Sequence, residues 1–226
     1  MEENLSGCAR CPYKKPDRLC RTGEGKSPSF CPTENQSEIV ANALEVLKNP
    51  DIFNFLKQSS VQEGEGYEDK ALGPAFAKPS KPRIVELIEF AQKMAYKRLG
   101  LAFCMGLSKE AKIVDQILSD TGFDVISAIC KVGRCPKETL GIQQNQKIRI
   151  GEFESMCNPI AQAFILNDAQ TEFNVMMGLC VGHDSMFLKH AAAPCTVLAV
   201  KDRVLGHNPL AAIYTVDTYY RYLKKE

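Results

Sequence analysis

Residues 174 to 187 read NVMMGLCVGHDSMF, an apolar run that breaks at Cys180, then at Gly182, His183 and Asp184, and re-forms as a helix. The same order of apolar run, cysteine and glycine occurs in LGLAFCMGLS, residues 99 to 108, and in DVISAICKVG, residues 124 to 133. Short continuous apolar runs separated by helical stretches are the pattern of a parallel sheet buried on both faces. These three segments therefore set the fold, and the rest of the chain is read outward from them.

Upstream, RIVELIEFAQKMAYKR (83–98) places Ile84, Leu87, Ile88, Ala91 and Ala95 on one stripe of an amphipathic helix. The strand LGLAF (99–103) follows, and Ser108 caps a helix over 109–122 that ends at Gly122. FDVISAI (123–129) is the second strand, and 136–156 carries no legible period. Asn158 and Pro159 open a helix over 158–170, as N-cap and first helical residue. EFNVMMGL (172–179) is the third strand, and Asp184 caps a short helix over 183–191. CTVLAV (195–200) is the fourth strand, and a helix over 207–225 repeats the Asn-Pro start at Asn208 and Pro209. The expected fold is α/β, a three-layer sandwich with a mostly parallel sheet of about four strands. This domain spans 83–226. Before it stand a head, 1–35, and a segment, 36–82, made of a helix capped by Ser37 and a polar linker or surface loop from 58 to 82.

The 226 residues are 45% hydrophobic with a net charge of +1, so the composition signals neither nucleic acid nor an anionic membrane. No apolar run is long enough to cross a bilayer. The start, MEENLSGCAR, does not read as a signal peptide, so a cytoplasmic, reducing location is expected. There, ten cysteines and three histidines point to metal ligation, redox chemistry or burial rather than disulfides. Thiolate-rich sites favour zinc, iron–sulfur or Cu(I). The basic residues of the head are interleaved with acidic ones, a weak nucleic-acid signal.

Cys8, Cys11, Cys20 and Cys31 lie within 24 residues that have almost no aliphatics. A close CxxC pair joined by two further thiolates suits a tetrahedral metal site, and a structural zinc is the favoured reading. The spacing is not that of a zinc ribbon, and Cys-Pro steps also occur in iron–sulfur proteins.

In a parallel sheet Cys104, Cys130 and Cys180 each follow a strand, and Cys157 precedes a helix start, so all four meet at the carboxyl edge, where such sheets bind ligands. Helix N-termini and Gly106, Gly133 and Gly182 favour thiolates and a bulky ligand there. Burial explains any one of these cysteines alone, but four at equivalent places favour a shared site. The arrangement suits a 4Fe-4S cluster, a zinc with one open position, or a reactive thiol beside a substrate. His183, three residues after Cys180, is a candidate ligand or proton donor, against the plainer role of bonding a loop carbonyl. Lys201, Asp202, Arg203 and His207 sit around this rim, and the charges of that turn are candidates for anchoring an anionic substrate or the cluster itself, against plain ion pairing among Lys201, Asp202 and Arg203. Asp184, Asn158 and Asn208 are explained as caps, His190 as surface, Cys195 as core, and Cys135 is either a fifth participant or a spectator. No phosphate loop, dinucleotide fingerprint, HExxH or GxSxG occurs.

CNPIAQA, GLCVGHD and VKDRVLGHNPLAAIY, together with the four-cysteine head and LAFCMGL, resemble a family of uncharacterised metal-binding proteins, a domain of unknown function from anaerobic bacteria and archaea. The resemblance covers the head and nearly all of 83–214. It implies metal binding and a cytoplasmic location, and it places eight cysteines (8, 11, 20, 31, 104, 130, 157 and 180) on cysteine positions of the pattern. Cys195 departs from an expected valine, and Cys135 is additional. The expected function is an iron–sulfur protein for electron transfer or cluster-assisted small-molecule chemistry, with His183 as proton donor and a redox partner protein or small molecule as its counterpart. The alternatives are a zinc-stabilised binding or regulatory module and a handler of soft metals.

Overall fold

The computed structural model describes residues 5–224 and divides into two compact units, Met1–Glu63 and Gly64–Glu226. In the first, short turns of 3-10 helix at Cys8–Arg10 and Lys15–Asp17 precede helices α1 (Leu19–Thr22), α2 (Pro32–Asn35), α3 (Ser37–Val46) and α4 (Pro50–Glu65). Ser37 is not a cap: Gln36 holds that position, without a side-chain bond, because α2 leads almost directly into α3. The linker expected from residue 58 is helical to Glu65. Its signal is a third Asn-Pro start, in which Asn49 Oδ1 accepts from the amides of Asp51 and Ile52 at 2.9 and 3.3 Å. Beyond it, β1 (Tyr67–Glu68) and β2 (Lys78–Pro79) form a small antiparallel ribbon.

The second unit continues as α5 (Arg83–Lys93), β3 (Arg98–Phe103), α6 (Ser108–Asp120), β4 (Asp124–Ile129), α7 (Pro159–Asp168), β5 (Phe173–Met177), α8 (His183–His190), β6 (Cys195–Ala199) and α9 (Leu210–Tyr214). It is a mixed α/β fold whose four strands are all parallel, in the order β4-β3-β5-β6. The chain steps from β3 outward to β4, then returns past β3 to β5. The direction of winding therefore reverses between β3 and β5, which makes a crevice at their carboxyl ends.

Helices lie on both faces. Ala102 and Met176 point to the side where Ala163 and Leu166 of α7 and Phe187 of α8 complete a buried cluster. Phe173, on the alternate face, meets Phe90 of α5 at 5.4 Å between ring centroids. Gly100 allows closer packing than any side chain would, since a Cβ there would stand 2.0 Å from Asn174 Oδ1. At the amino edge, Glu172 accepts from the amides of Lys97 and Arg98 at 2.6 and 2.8 Å, fixing the register of β3 against β5.

In this unit one expected cap is made and three are not. Asn158 does cap α7, accepting from Ala161 N at 3.0 Å. Ser108 is instead the first residue of α6, and its hydroxyl donates to Met105 O. Asp184 sits inside the first turn of α8, behind Gly182, and accepts from Ser185 N. The long helix expected over 207–225 stops at Tyr214, and Asn208 makes no side-chain cap. The residues that follow, TVDTYY, are β-branched, aromatic or turn-forming, and Thr215 bonds back to Ala211 O at 2.7 Å, so helix propagation is unfavourable.

Candidate functional site

The carboxyl edge of the sheet opens into a cavity of about 710 Å³ lined by Cys104, Cys130, Cys157 and Cys180. Topology puts them there. Cys104 follows β3 directly and its amide donates to Met177 O of β5 at 3.0 Å, so it stands at the reversal of winding. Cys130 follows β4, with its amide on Phe103 O. Its carbonyl accepts from Asn158 N at 2.7 Å, which ties the start of α7, and Cys157 with it, to the end of β4. Cys180 lies in the turn between β5 and α8, and its carbonyl accepts from the amides of His183 and Asp184.

The sulfurs differ in surroundings. Cys104 and Cys130 are buried, whereas Cys157 and Cys180 are partly exposed. Cys130 stands between Cys104 and Cys157, and its thiol is influenced by both. Cys104 is shifted down to about 5, by Cys130 first and then by the Gly106 amide and Lys201. Cys157 is lowered likewise to about 5, by Cys130 first, with Lys131 and His183 adding to it. Cys130 is pushed up, by those two neighbours and by burial. Met105 N donates to Cys130 Sγ at 3.3 Å. Arg203 Nη2 donates to Cys180 Sγ at 3.0 Å, and the arginine is held charged by it.

His183, the first residue of α8, lines the cavity, and its buried Nδ1 has no hydrogen-bond partner. The carbonyl bond that would make it purely structural is therefore not made at that nitrogen. The basic turn after β6 divides in two. Lys201 and Arg203 line the cavity. Asp202 accepts from the amides of Val204 and Leu205, and His207 Nδ1 accepts from Asp202 N, so those two shape the turn. His190 bonds Met186 O at 2.8 Å, and Cys195 is a half-buried β6 residue facing Asn174. Cys135 bonds its neighbour Gly133 O and does not line the cavity.

The opposite wall is the 131–157 excursion between β4 and α7, most of which (136–156) carries no legible period in the sequence. Its neck is closed by a bridge between Pro136 and Ser155 and by bonds of Met156 N to Cys135 O and Lys137 N to Glu154 O. Glu154 organises the wall: it pairs with Lys137 at 2.7 Å and accepts from the amides of Ile148 and Arg149 at 3.0 and 3.1 Å. Those contacts hold its carboxyl down at about 2. Lys147, with its side chain 1% exposed, pairs with Glu138 from within. Leu140, Ile142, Ile148 and Phe153 then give the cavity an apolar side. Lys131 was the other residue missed, and its only signal was adjacency to Cys130.

The head cysteines lie in a segment with little interior. Cys8 and Cys20 are exposed, Cys11 and Cys31 partly so. Arg10 stacks over Phe30 at 5.9 Å, which brings the Cys8–Cys11 turn toward Cys31, while Cys20 rides on α1. Among the described residues, no three or more His, Cys, Asp or Glu side chains, in head or rim, gather tightly enough for one metal ion. The rim thiols are instead spread along the wall of a cavity. Among the described residues no helix is long and apolar enough to cross a membrane.

The chain is 40% identical, over 218 residues and 96% of each chain, to the uncharacterized protein MJ0455 of the archaeon Methanocaldococcus jannaschii. No solved structure matches it. A family model described as Protein of unknown function (DUF1847) matches residues 31–198, which takes in Cys31 and all four rim cysteines but not Cys8, Cys11 or Cys20. With most of its length matched, from the last head cysteine to the strand that ends the sheet, the chain belongs to the DUF1847 family.

Proposed function

We propose that this protein carries a thiolate-ligated iron–sulfur centre at the carboxyl edge of a three-layer α/β body, held by Cys104, Cys130, Cys157 and Cys180. The observation that carries the reading is that four cysteines from four separate segments line one cavity at the reversal of winding. The donor set fits the group. Four sulfurs around one cavity suit a cluster whose thiolates each bind a different iron. Amides at Met105 and Gly106 donate to the sulfurs, the usual means by which a protein stabilises such a centre.

Bound there, a cluster supplies one-electron transfer or a Lewis-acidic iron. The chain's own residues do the rest. Leu140, Ile142 and Phe153 give the cavity an apolar side. His183 offers Nδ1 to hold or deliver a proton beside it. The counterpart is a redox partner protein or a small molecule entering the cavity, in a cytoplasmic setting. Cys8, Cys11, Cys20 and Cys31 are assigned a structural metal, zinc by preference. In support, Gly7 is the one buried residue in 5–35, so the head has no apolar core to hold it.

The test is metal and sulfide analysis of Cys104→Ser and Cys180→Ser beside the parent. The reading expects loss of iron and sulfide with head metal retained. Unchanged iron and sulfide in both variants would contradict it. Zinc alone in the parent, in colourless and air-stable protein, would instead favour a binding module or a handler of soft metals.

A further inference from the structure

Each outer thiol of the rim has a cation of its own. Arg203 Nη2 reaches Cys180 Sγ at 3.0 Å. Lys201 and Cys104 meet over Gly106: a Cβ on that glycine would stand 2.7 Å from Lys201 Nζ and 3.9 Å from Cys104 Sγ. Lys131 lines the cavity with Cys157 and donates to the carbonyl of Ser155, two residues before that cysteine, which holds its charge beside the thiol. Cys130, at the centre, has no cation and takes the Met105 amide instead.

These cations are not explained as ion pairs with carboxylates. Among the described residues, Lys131, Lys201 and Arg203 make no salt bridge to an acidic side chain. The one acidic residue lining the cavity, Glu154, is already taken by Lys137 and two amides. Three charged side chains converging on sulfur, in a cavity with no free carboxylate, belong to a site designed to hold negative charge.

We propose that Lys131, Lys201 and Arg203 form a cationic ring that raises the reduction potential of the rim centre and so favours its reduced state. The inference rests on the iron–sulfur reading above. A four-iron cluster with four thiolates carries two negative charges when oxidised and three when reduced. Three adjacent cations offset that charge, so the added electron is stabilised by charges already in place. The electron comes from a one-electron donor, dithionite in the titration below. The three are positioning residues: they act on the potential through the sulfurs and bind no iron themselves.

The experiment is an anaerobic dithionite titration of the intact protein, with iron and sulfide measured per chain, for the parent, Lys131→Met, Lys201→Met, Arg203→Met and the triple variant. The expected result is parent-like iron and sulfide with a midpoint shifted to more negative potential in each single variant, and furthest in the triple. Full cluster content with an unmoved midpoint overturns the ring while leaving the cluster reading intact. A parent without iron and sulfide overturns the cluster reading, and the ring with it. Should a methionine variant lose its cluster, Lys201→Arg and Arg203→Lys must keep both content and midpoint near the parent's, and failure of these charge-preserving variants also overturns the ring.

Discussion

At Gly178 a single residue joins the sheet to the site. It holds φ +68°, and a Cβ there would stand 2.0 Å from Leu107 Cδ1 and 3.9 Å from Cys104 Cβ. Gly178→Ala therefore combines left-handed strain with overpacking, and should cost about 2–4 kcal/mol, read as a lower denaturation midpoint with an unchanged slope. The thiols make a second prediction at this scale. In metal-free protein Cys157, lowered to about 5, should react with iodoacetamide at pH 7 roughly tenfold faster than Cys195, which burial pushes up. Its rate should hold as pH falls below the ordinary thiol range and drop only near 5. Cys130→Ala should move that drop upward, because the neighbour that does most to lower the Cys157 thiol is gone. The sign for stability follows. A thiol lowered in the folded state contributes stability that is complete above the unfolded value, about 8.5, and is lost as pH falls toward 5. A labelling rate at Cys157 that tracks an ordinary thiol would contradict this.

Among the elements, those with a strong period were legible and those held by polar contacts were not. The apolar runs that became β3 to β6 were read to within a residue or two, since buried parallel strands leave little choice of side chain. α4 was missed although Asn49 and Pro50 repeat the start recognised at Asn158 and Pro159, because the polar residues from 58 outweighed a cap nine residues away. The C-terminal helix was overextended by the opposite error, trusting a start signal while Thr215 and the tyrosines argued against propagation. The cavity wall of 131–157 was unreadable for a different reason. Its order comes from Glu154 and Lys147 meeting partners that have no fixed sequence spacing. Glu154→Gln should accordingly loosen this wall while leaving the sheet intact. Amide exchange at Ile148 and Arg149 should accelerate by roughly tenfold or more, with α7 unaffected. Acid should do the same. The carboxyl is depressed to about 2, so its contribution is complete above about 4.3 and fades as pH falls toward 2. Unchanged exchange in the variant would mean that Glu154 does not organise the wall.

For the whole molecule, the convergence of four cysteines followed from topology more than from any motif. Nothing local joins Cys104 to Cys180. They meet because β3 and β5 are neighbours in the order β4-β3-β5-β6, which the sequence does not encode in a readable way. What it does encode is the placement of each cysteine after a strand or before a helix, and a parallel sheet turns that into a shared edge. The cations on that edge were partly visible in VKDRVLGHNP, but only the fold separates Lys201 and Arg203, which face the thiols, from Asp202 and His207, which fold the turn. The head is the reverse case, its spacing legible and its order depending on something other than an apolar core. The most direct measurement is acid-labile sulfide and metal content per chain, with the visible spectrum, on protein purified without oxygen. Iron matched by sulfide, with broad absorption that bleaches on reduction, is the result this account predicts. Protein that contains zinc alone and no sulfide would contradict it, leaving the rim as free thiols and moving the search for function to binding.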